Sequence, residues 1–152
     1  MKKIILLAGI LLLCFANVNA QEIKEINDLF YKGGKLYTGS YTSYYDNGNI
    51  KMEMKVKEGK KHGTVKIFFD NSQLNEIRSY KNNLMHGKWE LFNRDNIKVS
   101  VARYKKGEKN GKWLISNDKG TLLYELYYKD GQKCGIWKRY DDDGNLVSHR
   151  KY

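Results

Sequence analysis

The sequence predicts an all-β protein, an elongated antiparallel meander of about five 24-residue hairpin repeats in a single twisted layer. Three observations predict it. Gly39, Gly63, Gly87, Gly111 and Gly135 follow one another at 24-residue intervals without an insertion, and self-similarity at a fixed period of this length marks a repeat architecture. Polar and apolar residues alternate between these glycines: in His86 to Asn93, Trp89 and Leu91 share one face and Lys88, Glu90 and Phe92 the other, the period of a half-buried strand. The 152 residues include 14 glycines and no proline, so nothing interrupts a run of strands and tight turns.

The first twenty residues, MKKIILLAGILLLCFANVNA, read as a secretory signal, with Lys2 and Lys3 at the start, an apolar run from Ile4 to Phe15 and a small-residue cleavage site at Val18-Asn19-Ala20. A run of ~12 apolar residues falls short of the ~20 that span a bilayer. Export to the periplasm, outer envelope or medium follows, with a signal at 1–20, a lead-in at 21–31 and a repeat domain at 32–152. Leu13 stands before Cys14 where a lipoprotein signal carries a small residue, so lipidation there is not expected. Cleavage leaves Cys134 as the only cysteine, which excludes an internal disulfide and predicts a buried free thiol.

In the lead-in, Glu22 to Asn27 are expected as a short helical turn or without order, and Leu29-Phe30-Tyr31 as an opening strand turned back by Gly33-Gly34. Each repeat then has a strand after its glycine, a turn rich in Asp, Asn and Gly such as Asp46-Asn47-Gly48-Asn49, and a second strand such as Leu122 to Tyr128. Those turn residues reach positive φ or bond their own backbone. A glycine-containing loop such as Lys105 to Asn110 leads to the next unit. In the third unit, Ile97, Val99 and Val101 lie one position earlier than Leu122, Tyr124 and Leu126 of the fourth, which predicts a bulge between Val101 and Tyr104.

Trp89, Trp113 and Trp137 recur two residues after their glycines, and aromatics at repeat spacing are expected as the core that joins neighbouring units. Tyr44, Phe68, Phe92 and Tyr140 are the candidate exposed aromatics, an adhesive stripe at ~10 Å intervals. Thr38, His62, His86, Asn110 and Cys134 precede the repeat glycines. Equivalent positions lie about 9.6 Å apart, too far for two histidines to share a metal at ~2.1 Å or for a thiol to meet its base. Asp141-Asp142-Asp143-Gly144-Asn145 lacks the flanking ligands of a calcium loop, with Arg139 and Arg150 in their places, and reads as a turn. No catalytic residue, metal site or cofactor is therefore predicted.

The formal charge is +11, or +9 once Lys2 and Lys3 are removed with the signal. Lys57, Lys61, Lys81, Lys105, Lys106, Lys109, Lys129 and Lys133 fall in the loops between units, and Asp46, Asp70, Asp95, Asp118 and Asp141 to Asp143 in the turns within them. One long edge is thus basic and the other acidic. The basic edge is the candidate site for a partner or anion. Export argues against nucleic acid.

Tyr80-Lys-Asn-Asn-Leu-Met-His-Gly-Lys-Trp89, Tyr104-Lys-Lys-Gly-Glu-Lys-Asn-Gly-Lys-Trp113 and Tyr128-Lys-Asp-Gly-Gln-Lys-Cys-Gly-Ile-Trp137 resemble the MORN-repeat variant, whose pattern is Tyr, two residues, Gly, three residues, Gly, one residue, Trp. The resemblance covers about Tyr31 to Tyr152 and is looser in the first two units, where Lys35, Val56 and Val65 depart from it. It implies a hairpin-repeat sheet acting as a non-catalytic module for protein interaction or scaffolding. Association with anionic lipid or surface polymer is the second reading. An antitoxin role, from the YwqK label some bacterial members carry, is the third.

Overall fold

The computed structural model describes residues 22–152, so the signal at 1–20, its cleavage and Cys14 lie outside the described residues. β1 (Ile23–Ile26), β2 (Leu29–Lys32) and β3 (Lys35–Leu36) form a small sheet of their own. The remaining strands form one open antiparallel meander: β4 (Gly39–Tyr44), β5 (Ile50–Lys57), β6 (Lys60–Phe68), β7 (Leu74–Lys81), β8 (Leu84–Met85), β9 (Gly87–Phe92), β10 (Lys98–Lys105), β11 (Glu108–Lys109), β12 (Gly111–Ser116), β13 (Leu122–Lys129), β14 (Gln132–Lys133), β15 (Ile136–Tyr140) and β16 (Leu146–Lys151). Ten of them follow one another across the sheet in chain order from β4 to β16, and the two-residue strands β8, β11 and β14 each begin the strand that follows.

Two kinds of turn generate the period. Between units, Glu58-Gly59, Asn82-Asn83, Lys106-Gly107 and Asp130-Gly131 all have positive φ, from 48° to 91°, which is the two-residue hairpin turn whose twist matches its strands. The loops expected here are therefore tight turns, and Glu108 and Lys109 are already paired with Lys105 and Tyr104. The register then shifts by two residues, from Tyr104↔Lys109 to Val101↔Leu114, and the same shift recurs in the other units. Gly63, Gly87, Gly111 and Gly135 occupy this bulge with φ from 67° to 100°, a backbone that costs a side chain strain.

Within units, Tyr45, Phe69, Asn93, Asn117 and Asp141 accept the N–H groups of Gly48, Ser72, Asn96, Gly120 and Gly144. Next to each turn one residue is left out of the pairing: Lys51, Asn75, Val99, Leu123 and Val147 in turn. The bulge expected between Val101 and Tyr104 is thus a misreading, because Ala102↔Trp89 and Tyr104↔Gly87 pair without a shift. The third unit keeps the common register. It sets the small side chains of Ser100 and Ala102 on the tryptophan face, and Val101 on the other face opposite Leu114.

The lead-in departs from expectation too. Ile23–Ile26 is a strand, paired with β2 through a two-residue turn at Asn27-Asp28, while the opening strand and the Gly33-Gly34 turn are as expected. This small sheet covers the first strands of the meander. Phe30, Met54, Val56 and Val65 are buried together, with Ile23, Tyr37, Tyr41, Met52, Ile67 and Tyr80 packed around them. Lys61 Nζ meets Glu25 at 3.1 Å, and Asn83 Nδ2 donates to the Asp28 carbonyl at 2.8 Å. Beyond that cluster only Ala102 is a buried hydrophobic among the described residues. Past β6 the described meander is a single layer with no second sheet to bury its faces against.

Candidate binding surface

Register and alternation put Trp89, Trp113 and Trp137 on one face with Tyr80, Tyr104, Tyr128 and Tyr152. These seven rings form a continuous ladder, with centroids 4.6 to 5.6 Å apart and planes inclined by 50° to 61°, the tilted geometry that aromatic quadrupoles favour. Each indole Nε1 donates to the carbonyl ten residues earlier, on Ser79, Arg103 and Tyr127, at 2.9 to 3.1 Å. The tryptophans join neighbouring units as expected. They are half-buried rather than enclosed, since only the cationic side chains of Arg78, Lys109 and Lys133 lie over them.

The lysine edge is divided. Lys57, Lys81, Lys105, Lys106 and Lys129 are exposed and make no ion pair among the described residues. The other three, of which Lys133 is also exposed, lie against aromatic rings. Lys109 Nζ lies 4.5 Å from the Trp113 ring centre and 4.8 Å from that of Tyr128, and Lys133 Nζ lies 4.7 Å from Trp137 and 5.0 Å from Tyr152. Lys61 pairs with Glu25 beside the Phe30 ring. Cation–π contacts of this kind consolidate the ladder, so these three of the eight candidate lysines already have partners within the chain.

The residues before the repeat glycines bond to the next unit. Thr38 Oγ1 accepts from the Glu58 amide at 2.8 Å, His62 Nδ1 meets Asn82 Oδ1 at 3.2 Å, His86 Nδ1 accepts from the Lys106 amide at 3.4 Å, and Asn110 Nδ2 donates to Asp130 Oδ1 at 3.1 Å. Each link spans 20 residues, which explains the tolerance for several polar types. Cys134 holds the same position in the last unit and is half-buried, not the buried thiol expected. At the acidic edge, Asn47, Asn93 and Asn117 donate to the following turn, at Asp70, Asp118 and Asp142.

Tyr44 is 61% exposed, but Phe68, Phe92 and Tyr140 are half-buried at the ends of their hairpins. The adhesive stripe expected of these four therefore reduces to Tyr44. Their face carries charge instead. Glu90 is flanked by Lys88 at 2.9 Å and Lys98 at 2.5 Å, and Glu125 by Lys112 at 3.3 Å, Lys138 at 3.6 Å and the Tyr127 hydroxyl at 3.0 Å. Burial raises both carboxyls, and these partners outweigh it, leaving both below the ordinary glutamate value.

One row was missed. Leu91, Ser100, Ile115 and Tyr124 pair in direct succession across β9, β10, β12 and β13 on the tryptophan face, and Leu91, Ile115 and Tyr124 are exposed. The signal was present in the repeat, since Leu91 and Ile115 follow Trp89 and Trp113 by two residues and so share their face. With the ladder beside it, the row gives β9 to β13 an uncovered apolar strip, bounded by Glu76 of β7 and Arg139 of β15. No group of three or more His, Cys, Asp or Glu side chains stands close enough to hold a metal among the described residues.

Fold and surface define an open hairpin-repeat protein, a single sheet whose successive units are bonded edge to edge. The family profile of the MORN repeat variant matches residues 37–58, 61–82 and 133–152. The first two matched segments are the units with the looser aromatic pattern. Among solved structures, one similar chain belongs to the Glycosylation Associate Protein (Gap123) complex from Streptococcus agalactiae, at 17% identity and a TM-score of 0.39, covering 82% of this chain and 22% of that one. This chain therefore corresponds to about a fifth of that chain's length. No curated protein matches it.

Proposed function

We propose that this chain is an exported, non-catalytic interaction module that docks a protein partner on the tryptophan face of β9 to β13. The single observation that carries this reading is the uncovered row of Leu91, Ile115 and Tyr124 beside the aromatic ladder. A contiguous exposed apolar surface on a strongly charged chain marks an interaction site. The chain itself provides a precedent: its own β1–β3 sheet covers the same face over β4 to β6, with Phe30 buried and Glu25 paired to Lys61. MORN repeats are typically non-catalytic and often serve binding, which supports the assignment. Ile115→Asp tests it: pull-down from envelope extract should lose the partner while circular dichroism stays unchanged.

The second reading is adhesion to anionic lipid or surface polymer through the lysine edge. It rests on a specific observation, the five exposed unpaired lysines, with Leu84 51% exposed among them. Such adhesion weakens steeply as salt rises, whereas apolar docking does not. Vesicle binding that collapses with salt and survives Ile115→Asp supports this second reading.

A further inference from the structure

The meander has two open edges, and they differ in chemistry. β16 ends one side and carries His149, Arg150 and Lys151, the charges with which proteins keep edge strands from pairing. β4 ends the other side and reads Gly-Ser-Tyr-Thr-Ser-Tyr. Every other strand longer than two residues contains Lys, Arg or Glu; β4 contains none, in a chain of which 30% is charged. Its outer N–H and C=O groups pair with no strand among the described residues. One carbonyl, that of Ser40, accepts from the Tyr37 hydroxyl at 2.8 Å. Tyr44 at the end of β4 is the most exposed of the large hydrophobic side chains.

We propose that β4 is a self-association edge, on which β4 of a second copy pairs antiparallel about a two-fold axis normal to the sheet. This goes beyond the docking proposed for the tryptophan face and does not depend on it. Charge selects the occupant. An identical strand brings no charge to the seam, whereas any other long strand of this basic chain brings lysine or arginine, for which β4 has no carboxylate partner.

Pleating selects the register, since residues paired about such an axis must share a face, so the axis passes through Tyr41 or Thr42. Tyr41 is already packed on the Phe30 ring at 5.0 Å, which favours Thr42. Tyr44 then lies across from Ser40 of the partner copy and Tyr41 across from its Ser43. The hydroxyls of Ser40, Thr42 and Thr64, which line a shallow groove with Glu53, Lys55 and Lys66, continue into the same groove of the second copy. The ten-strand path becomes one of twenty, and two-fold symmetry closes it, since the charged β16 edges face outward.

Sedimentation velocity on the purified protein across a concentration series, at low and high salt, tests the proposal. The mass should move from one chain to two with concentration, at lower concentration in high salt because two chains of formal charge +9 after removal of the signal repel. Adhesion through the lysine edge has the opposite salt dependence, so the two fail separately. Thr42→Lys places two ammoniums on the axis, with Glu53 opposite each within its own sheet, and should sediment as one chain throughout. Ser148→Lys on β16 should behave as wild type. Exchange of the β4 amides should slow in the wild-type dimer, a readout independent of any variant. A wild type that stays single at every concentration, a dimer that survives Thr42→Lys, a dimer lost in Ser148→Lys, or β4 amides unprotected in the dimer would each overturn it.

Discussion

Trp113 stacks between Tyr104 and Tyr128, carries Lys109 over its ring and donates to the Arg103 carbonyl. Removing it breaks two unit junctions at once, though its ring is only half-buried. Trp113→Ala should therefore cost about 2–3 kcal/mol, below the ~3–5 of a fully buried tryptophan, measured by urea denaturation. Gly111 tests the bulge: with φ at 100° and an added Cβ 3.2 Å from Arg103 Cδ, Gly111→Ala should cost about 1–2 kcal/mol. The residue pattern made Trp113 and Gly111 legible as repeat positions. It did not reveal that Lys109 and Lys133 are occupied, because a lysine four residues before a tryptophan becomes its neighbour only through the two-residue bulge between them.

The hairpins were legible because apolar alternation and Asp, Asn and Gly turns repeat every 24 residues. The misread elements were those where local pattern and register disagree. In β1, Ile23 and Ile26 stand three apart, a helical spacing, and the strand is made by the positive-φ turn at Asn27-Asp28 and by pairing with β2. In β10 the apolar residues sit one position early, and the common bulge at Val99 shows them serving the other face. Each hairpin of the third and fourth units also carries a clasped glutamate. Glu90 and Glu125 have folded pKa values below the unfolded 4.5, so the stability they contribute is present above about pH 4.5 and is lost as pH falls through the folded values. The melting temperature should drop on acidification below that point, and Glu90→Gln with Glu125→Gln should flatten the drop.

As a whole, the molecule is a sheet with one small enclosed cluster, under the β1–β3 sheet, and a long uncovered remainder. Its junctions are local, each unit bonded to the next by ring stacking, turn-to-turn bonds and strand pairing, so stability should be distributed as in other repeat arrays. Amide exchange should be slowest in β5 and β6 beneath Phe30 and fastest in β16, whose residues are all exposed. The sequence could not disclose what the tryptophan face is for, because the same alternation that predicts a buried face also describes an uncovered one. The most direct test is to compare Ile115→Asp with a variant in which Lys57, Lys81, Lys105, Lys106 and Lys129 are all Gln, measuring recovery of the envelope partner at low and high salt. Docking on the tryptophan face predicts that Ile115→Asp loses the partner at both salts while the lysine variant keeps it at high salt. Full recovery by a folded Ile115→Asp, with loss in the lysine variant, would contradict it.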